Sequence, residues 1–335
     1  MKHKGITVLV PLALASAAAL GLSPAAQAVP PTVQGDTQLV TTDTWGDLQH
    51  TIRHPDGSWQ RVGLIPGYGH VDYLTSTSLH GEDNVVVEYH TGPSNNPNIQ
   101  AARLIRHDNG NWDFHASMPQ LPVSPEPIAA VAVDDQLNVV SLTPDGPQVA
   151  TLGPDDQWSG FSTVPLGTHL RSIAAVDHDG ALRVVGLSGD GLTVSVIDRT
   201  ATGWSPVTRT QVDVGEGNIA TQLAAVQVGD TLQVGAVVNS TTDSNAIPSI
   251  AFATMDKSGA WSAFAGLRAL VWGRPSQLSM VATLGNGETQ LAYTTTTGDT
   301  YHTIRHADGT WQDAGSVQQV AGGEAALGPV TITGY

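Results

Sequence analysis

The stretch His50-Thr51-Ile52-Arg53-His54-Pro55-Asp56-Gly57-Ser58-Trp59-Gln60 returns as His302-Thr303-Ile304-Arg305-His306-Ala307-Asp308-Gly309-Thr310-Trp311-Gln312, 252 positions later. Over residues 36–60 against 288–312, sixteen of twenty-five positions are identical. Identity at that density marks copies of one unit, and a chain of copies is confined to architectures in which like units stack or close on themselves.

Six copies of a marker can be placed, each a turn of small or polar residues ending in Trp, at Trp59, Trp112, Trp158, Trp204, Trp261 and Trp311. Successive markers lie 53, 46, 46, 57 and 50 residues apart. Between them the pattern alternates with period two and is rich in β-branched residues. Ile173 to Val176, Leu182 to Leu187 and Leu192 to Ile197 show this within one unit, each bounded by Asp/Gly turns. No helical run of note is present. The last complete unit predicts strands at Leu278–Leu284, Thr289–Thr294, Tyr301–His306 and Trp311–Val317.

Four antiparallel strands repeated six times predict an all-β, six-bladed β-propeller. The first unit starts at its second strand, Thr37–Thr42, and a spare strand remains within Ala326–Thr333. The C-terminal strand is therefore expected to complete the N-terminal blade, removing edges that invite aggregation. The six marker Trp residues are expected to fill the wedges between blades.

Residues 1–28 predict a secretory signal peptide, with Lys2 and Lys4, an apolar run from Ile6 to Leu22, and a small-residue cleavage site at Ala26-Gln27-Ala28. The propeller then occupies 29–335, and the mature protein is expected to be exported. No later apolar stretch reaches the ~20 residues of a membrane span. The mature chain has 12 basic against 30 acidic residues, a net charge of −18, which disfavours nucleic acid and anionic membranes as partners. Cysteine is absent, so stability rests on packing.

Long loops between second and third strands, and between blades, fall on one face of such a ring, and binding residues concentrate on such loops. Two Trp residues outside the marker series, Trp45 and Trp272, sit there. Trp45 stands where the last blade has Thr297, so the scaffold does not demand it. An exposed indole beside Asp43, Asp47 or Arg274 can stack on a sugar ring while the polar groups bond its hydroxyls. Seven of the eleven mature His residues fall between His50 and His115, yet His50/His54 and His302/His306 lie four apart on a strand. That span of about 13 Å is too long for one ion to bridge, and no metal site or cofactor is expected. The motif Ile-Arg-His places Arg53, Arg106 and Arg305 in three blades adjacent in the closed ring. They are expected to pair with acids of neighbouring blades, with shared polar pockets as the alternative. Together Trp45, Asp47, His50, Arg53, Arg106, Trp272, Arg274, His302 and Arg305 are the candidate ligand-binding residues.

Enzymatic signals are thin. Of six Glu residues only Glu88 lies mid-strand, and no second carboxylate pairs with it in the sequence. No nucleophile elbow, zinc-binding helix or phosphate loop occurs.

The repeated His-Thr-Ile-Arg-His-x-Asp-Gly-x-Trp units resemble bacterial exported tandem-repeat β-propellers, relatives of the fucose-binding propeller lectins and of tectonin-like repeats. The resemblance implies sugar pockets between blades, with Arg and Glu on the hydroxyls and an aromatic beneath. Nine residues before each marker Trp the chain reads His50, Arg103, Val149, Ser195, Phe252 and His302, so no acidic ligand recurs. The resemblance then implies one to three sites near blades six, one and two. The marker is also similar to a shortened Asp-rich turn of sialidases, but their clustered arginines and Tyr–Glu pair have no counterpart. The expected function is a secreted, non-catalytic, lectin-like propeller. The alternative is a protein-interaction scaffold using the long-loop face, with a glycoside hydrolase further behind. The expected partner is a glycan or an extracellular protein; oligomeric state is open.

Overall fold

Short alternating strands separated by Asp/Gly turns can only form hairpins, and hairpins in series form an antiparallel sheet per unit. The computed structural model describes residues 35–334, apart from 66–67, 69, 92–97, 116–117, 123–125, 268–271 and 284. The expected signal peptide lies outside the described residues.

The described residues form six antiparallel sheets arranged as blades. Blade 1 holds β1 (Thr37–Thr42), β2 (Leu48–Arg53) and β3 (Gly63–Ile65). Blade 2 holds β4 (His70–Leu79), β5 (Glu82–Thr91), β6 (Asn98–Arg106) and β7 (Trp112–His115). Blade 3 holds β8 (Ile128–Val133), β9 (Gln136–Ser141), β10 (Gln148–Leu152) and β11 (Ser162–Thr163). In blade 4, β12 (Leu170–His178) and β13 (Ala181–Ser188) precede β14 (Thr193–Thr200), on which both β15 (Gly203–Trp204) and β16 (Thr208–Gln211) pair. Blade 5 holds β17 (Asn218–Val228), β18 (Thr231–Ser240), β19 (Ser249–Met255) and β20 (Ala265–Gly266). Blade 6 holds β21 (Pro275–Ala282), β22 (Thr289–Thr295), β23 (Thr300–Arg305) and β24 (Gly315–Ser316).

The ring closes as the repeat requires. The last strand, β25 (Val330–Gly334), pairs with β1 in a register running from Thr37 opposite Gly334 to Thr41 opposite Val330. Inner strands are then sewn together by side chains. Thr75 Oγ1 accepts from Ala130 N at 3.1 Å, Ser172 Oγ from Leu223 N at 3.1 Å, Gln222 Oε1 from Leu278 N at 2.7 Å, and Ser279 Oγ from Ile332 N at 3.2 Å. These polar side chains satisfy inner-strand amides on the next blade, which face no strand of their own sheet. Inside them runs a central channel of about 350 Å³.

The core is divided among the seams. Each of six apolar clusters joins two neighbouring blades, and each takes in one marker Trp. Trp112 of blade 2, for example, packs against the cluster that includes Val40 and Leu48 of blade 1. The indoles are half-buried rather than fully enclosed. The reason lies in the fourth strands, which are shorter than the sequence predicts. Trp311–Val317 is not one strand: Trp311 makes a single bridge to Arg305, β24 has two residues, and Val317 opens a short helix, α1 (Val317–Ala321). Other boundaries shift by a few residues, and the closing strand begins at Val330.

Three marker turns, those of blades 1, 2 and 6, share one geometry. His54 N, His107 N and His306 N donate across the turn to Ser58 O, Asn111 O and Thr310 O at 2.8–2.9 Å. Asp56, Asn109 and Asp308 each accept from the backbone N–H two residues on. This local bonding is what Asp and Asn supply in tight turns.

Candidate functional site

The antiparallel order puts the second-to-third turns and the inter-blade connections on one face, the loop face. The marker turns and first-to-second turns lie on the other, the marker face. This geometry separates the candidate residues into three groups.

On the loop face, Trp45 and Asp47 belong to the turn between β1 and β2. Asp43, which is buried, caps that turn: its Oδ1 accepts from Trp45 N at 2.7 Å and from Asp47 N at 2.9 Å. Asp43 N donates to Asp47 O at 2.9 Å, and blade 6 repeats the loop with Thr295 N donating to Asp299 O at 2.9 Å. The turn is fully bonded, yet the Trp45 side chain makes no use of it and is 81% exposed. Gly46, at φ +85°, lies so close to blade 2 that a Cβ there would be 2.7 Å from His70 Cα. The indole is therefore presented on a rigid turn pressed against the next blade.

Around that contact the structure assembles residues that the sequence reading passed over. His70 and His90, opposite each other on β4 and β5, have ring centroids 4.8 Å apart. His90 Nδ1 bonds Asp72 Oδ2 at 2.8 Å. Tyr68 meets Tyr89 at 5.0 Å and Phe114 at 5.9 Å, and Tyr89 OH donates to Gln100 Oε1 at 2.7 Å. The one available signal was the crowding of His into residues 50–115. Their mutual placement is set by a β-bulge between Val71 and Tyr73, which no local pattern discloses.

Glu88, at the same end of β5, is fully buried. Burial, with Asp72 and Glu126 nearby, pushes its pKa up to about 8. This favours the neutral acid at neutral pH.

Trp272 and Arg274 occupy the loop-face connection between blades 5 and 6. Trp272 is 61% exposed, and its backbone N donates to Tyr293 OH at 2.9 Å. Arg274 is occupied structurally: its guanidinium donates to Ala246 O at 3.0 Å and Asn245 O at 3.3 Å, holding the β18–β19 loop. Trp45 and Trp272 thus stand at different seams and do not form one pocket.

The second group is interior, which corrects the reading of His50, His302 and Arg106 as ligand contacts. His50 and His302 are 5% and 4% exposed, and Arg106 is completely enclosed. His50 Nε2 bonds Gln38 Oε1 at 2.6 Å, and His302 Nε2 bonds Gln290 Oε1 at 2.7 Å. Both rings abut the next blade's marker indole. Burial, reinforced by a neighbouring arginine, lowers each pKa to about 3. In three blades the residue nine before the marker, His50, Phe252 or His302, meets the next blade's marker indole edge-on, and side chains fill that place. A buried amide occupies the equivalent second-strand position in five blades: Gln38, Asn84, Asn138, Gln233 and Gln290. In blade 2 Asn84 Oδ1 accepts from Arg103 Nε at 2.8 Å.

The third group lies toward the marker face, at the ends of β2, β6 and β23. The arginines do not all meet neighbouring acids as expected. Arg305 lies over the Phe252 ring of blade 5, 5.3 Å from its centroid, and Arg53 lines a groove with Glu288 and makes no ion pair among the described residues. It is the motif histidines that take the acids, and within their own blades. His54 bonds Asp36 at 2.8 Å, His107 bonds Glu82 at 2.5 Å, and His306 bonds Glu288 at 2.7 Å. Among the described residues no group of three or more His, Asp or Glu side chains is placed to hold a metal ion. No described helix is long and apolar enough to cross a membrane.

No family model matches the chain, and no curated protein sequence matches it. Solved structures do. AofleA from Arthrobotrys oligospora superposes with a TM-score of 0.63 at 13% identity, over 92% of this chain and 88% of that one. The six-bladed fungal lectin of Aleuria aurantia, described with a fucose recognition mode, gives 0.59 at 12% identity, over 85% and 92%. The BP39L lectin of Burkholderia pseudomallei gives 0.55 at 13%, over 86% and 97%. At these identities the likeness is one of fold, and in fold the chain resembles the fucose-specific propeller lectins.

Proposed function

We propose that the protein is an exported, non-catalytic carbohydrate-binding propeller whose ligand lies on the loop face at Trp45, rather than in the pockets between blades. The observation that carries this reading is an indole left 81% exposed by a turn that is otherwise fully bonded and capped by a buried carboxylate. Holding a large apolar ring in water has no structural benefit here, since blade 6 makes the same turn with Thr297. An exposed aromatic ring on a turn that also carries Asp47 and abuts His70 suits a pyranose, whose C–H face stacks while its hydroxyls find polar partners. The sealed seams at His50 and His302 argue against six equivalent sites.

A glycan array on the mature protein tests the reading. Binding that disappears in Trp45→Ala, with an unchanged melting curve, supports it; binding that survives the substitution rejects this site.

A second reading, a protein-interaction scaffold, is favoured by one further observation. Of eight exposed large apolar side chains among the described residues, six lie on the loop face: Trp45, Leu192, Ile247, Trp272, Val320 and Leu327. A blank array together with capture of a protein partner that Trp272→Ala releases would favour it.

A further inference from the structure

Histidine spacing along single strands gives no metal site, but the fold makes a pair across two strands. His70 of β4 and His90 of β5 are register partners, with ring centroids 4.8 Å apart and planes at 47°. Among the described residues this is the one contact between two imidazole rings. The ladder does not call for it. One pair before the bulge of blade 5, where blade 2 has His70 facing His90, Ile219 faces Asn239.

The tautomer of His90 is the one a metal needs. The bulge makes Asp72 an extra residue of β4 with no partner of its own on β5, and its Oδ2 lies 2.8 Å from His90 Nδ1. A carboxylate can only accept, so Nδ1 carries the proton and Nε2 keeps its lone pair. A carboxylate behind the ring is what orients metal-ligating imidazoles. His70 is exposed and makes no hydrogen bond to a described residue. Its Nδ1 lies against the turn that carries Trp45, 3.0 Å from where a Cβ on Gly46 would be. Two imidazoles that share an ion at ~2.0–2.1 Å hold their ring centres about 5 Å apart. The pair therefore already has the separation of a chelate. The acid-paired histidines of the marker face, His54, His107 and His306, have no second imidazole beside them.

We propose that His70 and His90 bind one divalent transition-metal ion of the zinc type through Nε2, with Asp72 as the positioning residue behind His90. Imidazole nitrogens select zinc over calcium and magnesium, which take oxygen ligands. Two protein ligands leave the remaining tetrahedral positions to water, so the ion is bound at an open site rather than in a closed cage. The site uses neither Trp45 nor Asp47, and it stands or falls apart from the loop-face sugar reading.

The test is a titration of the full chain with zinc chloride at neutral pH, read by the side-chain ¹⁵N resonances of its histidines and by the melting temperature. The expected result is that His70 and His90 respond together, Nε2 moving most, and saturate at one ion, while zinc raises the melting temperature. His70→Gln should abolish the His90 response, His90→Gln the His70 response, and both the zinc-dependent rise in melting. Asp72→Asn should weaken binding about tenfold, as loss of the group behind a ligating histidine does. Calcium chloride should move neither ring. Zinc that shifts other histidines and leaves these two unchanged overturns the proposal, as does a His90 response that survives in His70→Gln. If either variant folds poorly, the paired response and one-ion stoichiometry of the unsubstituted protein still decide it.

Discussion

The imidazole of His50 meets the indole of Trp112 edge-on across the seam between blades 1 and 2, with ring centroids 5.3 Å apart at 83°. His302 and Trp59 repeat the joint between blades 6 and 1 at 5.3 Å and 80°. Each joint is backed by an amide that fixes the histidine. Truncating the indole removes the apolar contact and strands the imidazole. Trp112→Ala is therefore expected to cost about 3 kcal/mol, toward the lower end for large aromatic truncations because the ring is half-buried. Urea denaturation measures it, and a loss under ~1 kcal/mol would remove the joint from the account of stability.

The buried ionisable groups predict a pH profile with two arms. His50 and His302 titrate near 6.5 when unfolded and about 3 when folded, so the unfolded chain binds more protons between those values. Their contribution is complete above 6.5 and declines as pH falls toward 3. Asp83, buried beside Arg106 where β25 closes the ring, moves from 3.8 to about 7, and Glu88 from 4.5 to about 8, burial being the main cause of both. For these the folded chain binds more protons, and stability declines as pH rises from 3.8 to about 7 for Asp83 and from 4.5 to about 8 for Glu88. Each group changes stability by up to ~1.4 kcal/mol per pH unit within its window. The two pairs oppose each other between about 4.5 and 6.5, giving a plateau there with losses on both sides. Asp83→Asn should shallow the alkaline arm, and His302→Gln the acid arm. Chemical denaturation midpoints from pH 3 to 9 check this, and a steady climb through neutrality would contradict it.

Gly46 couples the scaffold to the exposed indole. A methyl group at this position would lie 2.7 Å from His70 Cα on a backbone already at φ +85°. Gly46→Ala is expected to cost at least ~1 kcal/mol and to move Trp45, whereas Trp45→Ala should change stability by less than ~0.5 kcal/mol. Thermal melts of the two variants side by side decide it; equal values would mean that the turn is not pressed against blade 2.

Ending the chain after Pro329 deletes β25 and leaves β1 with an open edge. The five residue pairs of that ladder and the Ser279–Ile332 bond are lost together. The truncated protein is expected to aggregate, or to show rapid amide exchange in β1 while blades 3 and 4 stay protected. Exchange mass spectrometry reads this directly, and full protection of β1 would show that closure contributes little.

The architecture was legible because it depends on features that repeat: the marker Trp, the Asp/Gly turn and the alternation between them. The closing strand was legible for the same reason, since the first unit lacked a strand and the last had one to spare. Trp45 and Trp272 were found because they fall outside the series. The interior fate of His50, His302 and Arg106 was not, because a strand residue facing the neighbouring blade looks the same in sequence whether the seam is open or filled. What decides it is Gln38 or Gln290 twelve residues earlier, on a partner strand. The His70–His90–Asp72 cluster was missed because it is created by a bulge and by a turn from another blade. Both are tertiary events.

The most similar stretches of the chain, 36–60 and 288–312, are shoulder to shoulder in space because the circle joins blade 6 to blade 1. The seam where the polypeptide begins and ends therefore carries the same His–Trp coupling as the seam that follows it. A duplicated unit inserted there would find a compatible neighbour on either side, so seam chemistry does not count the blades. Their number is fixed by the curvature at which the last strand reaches the first.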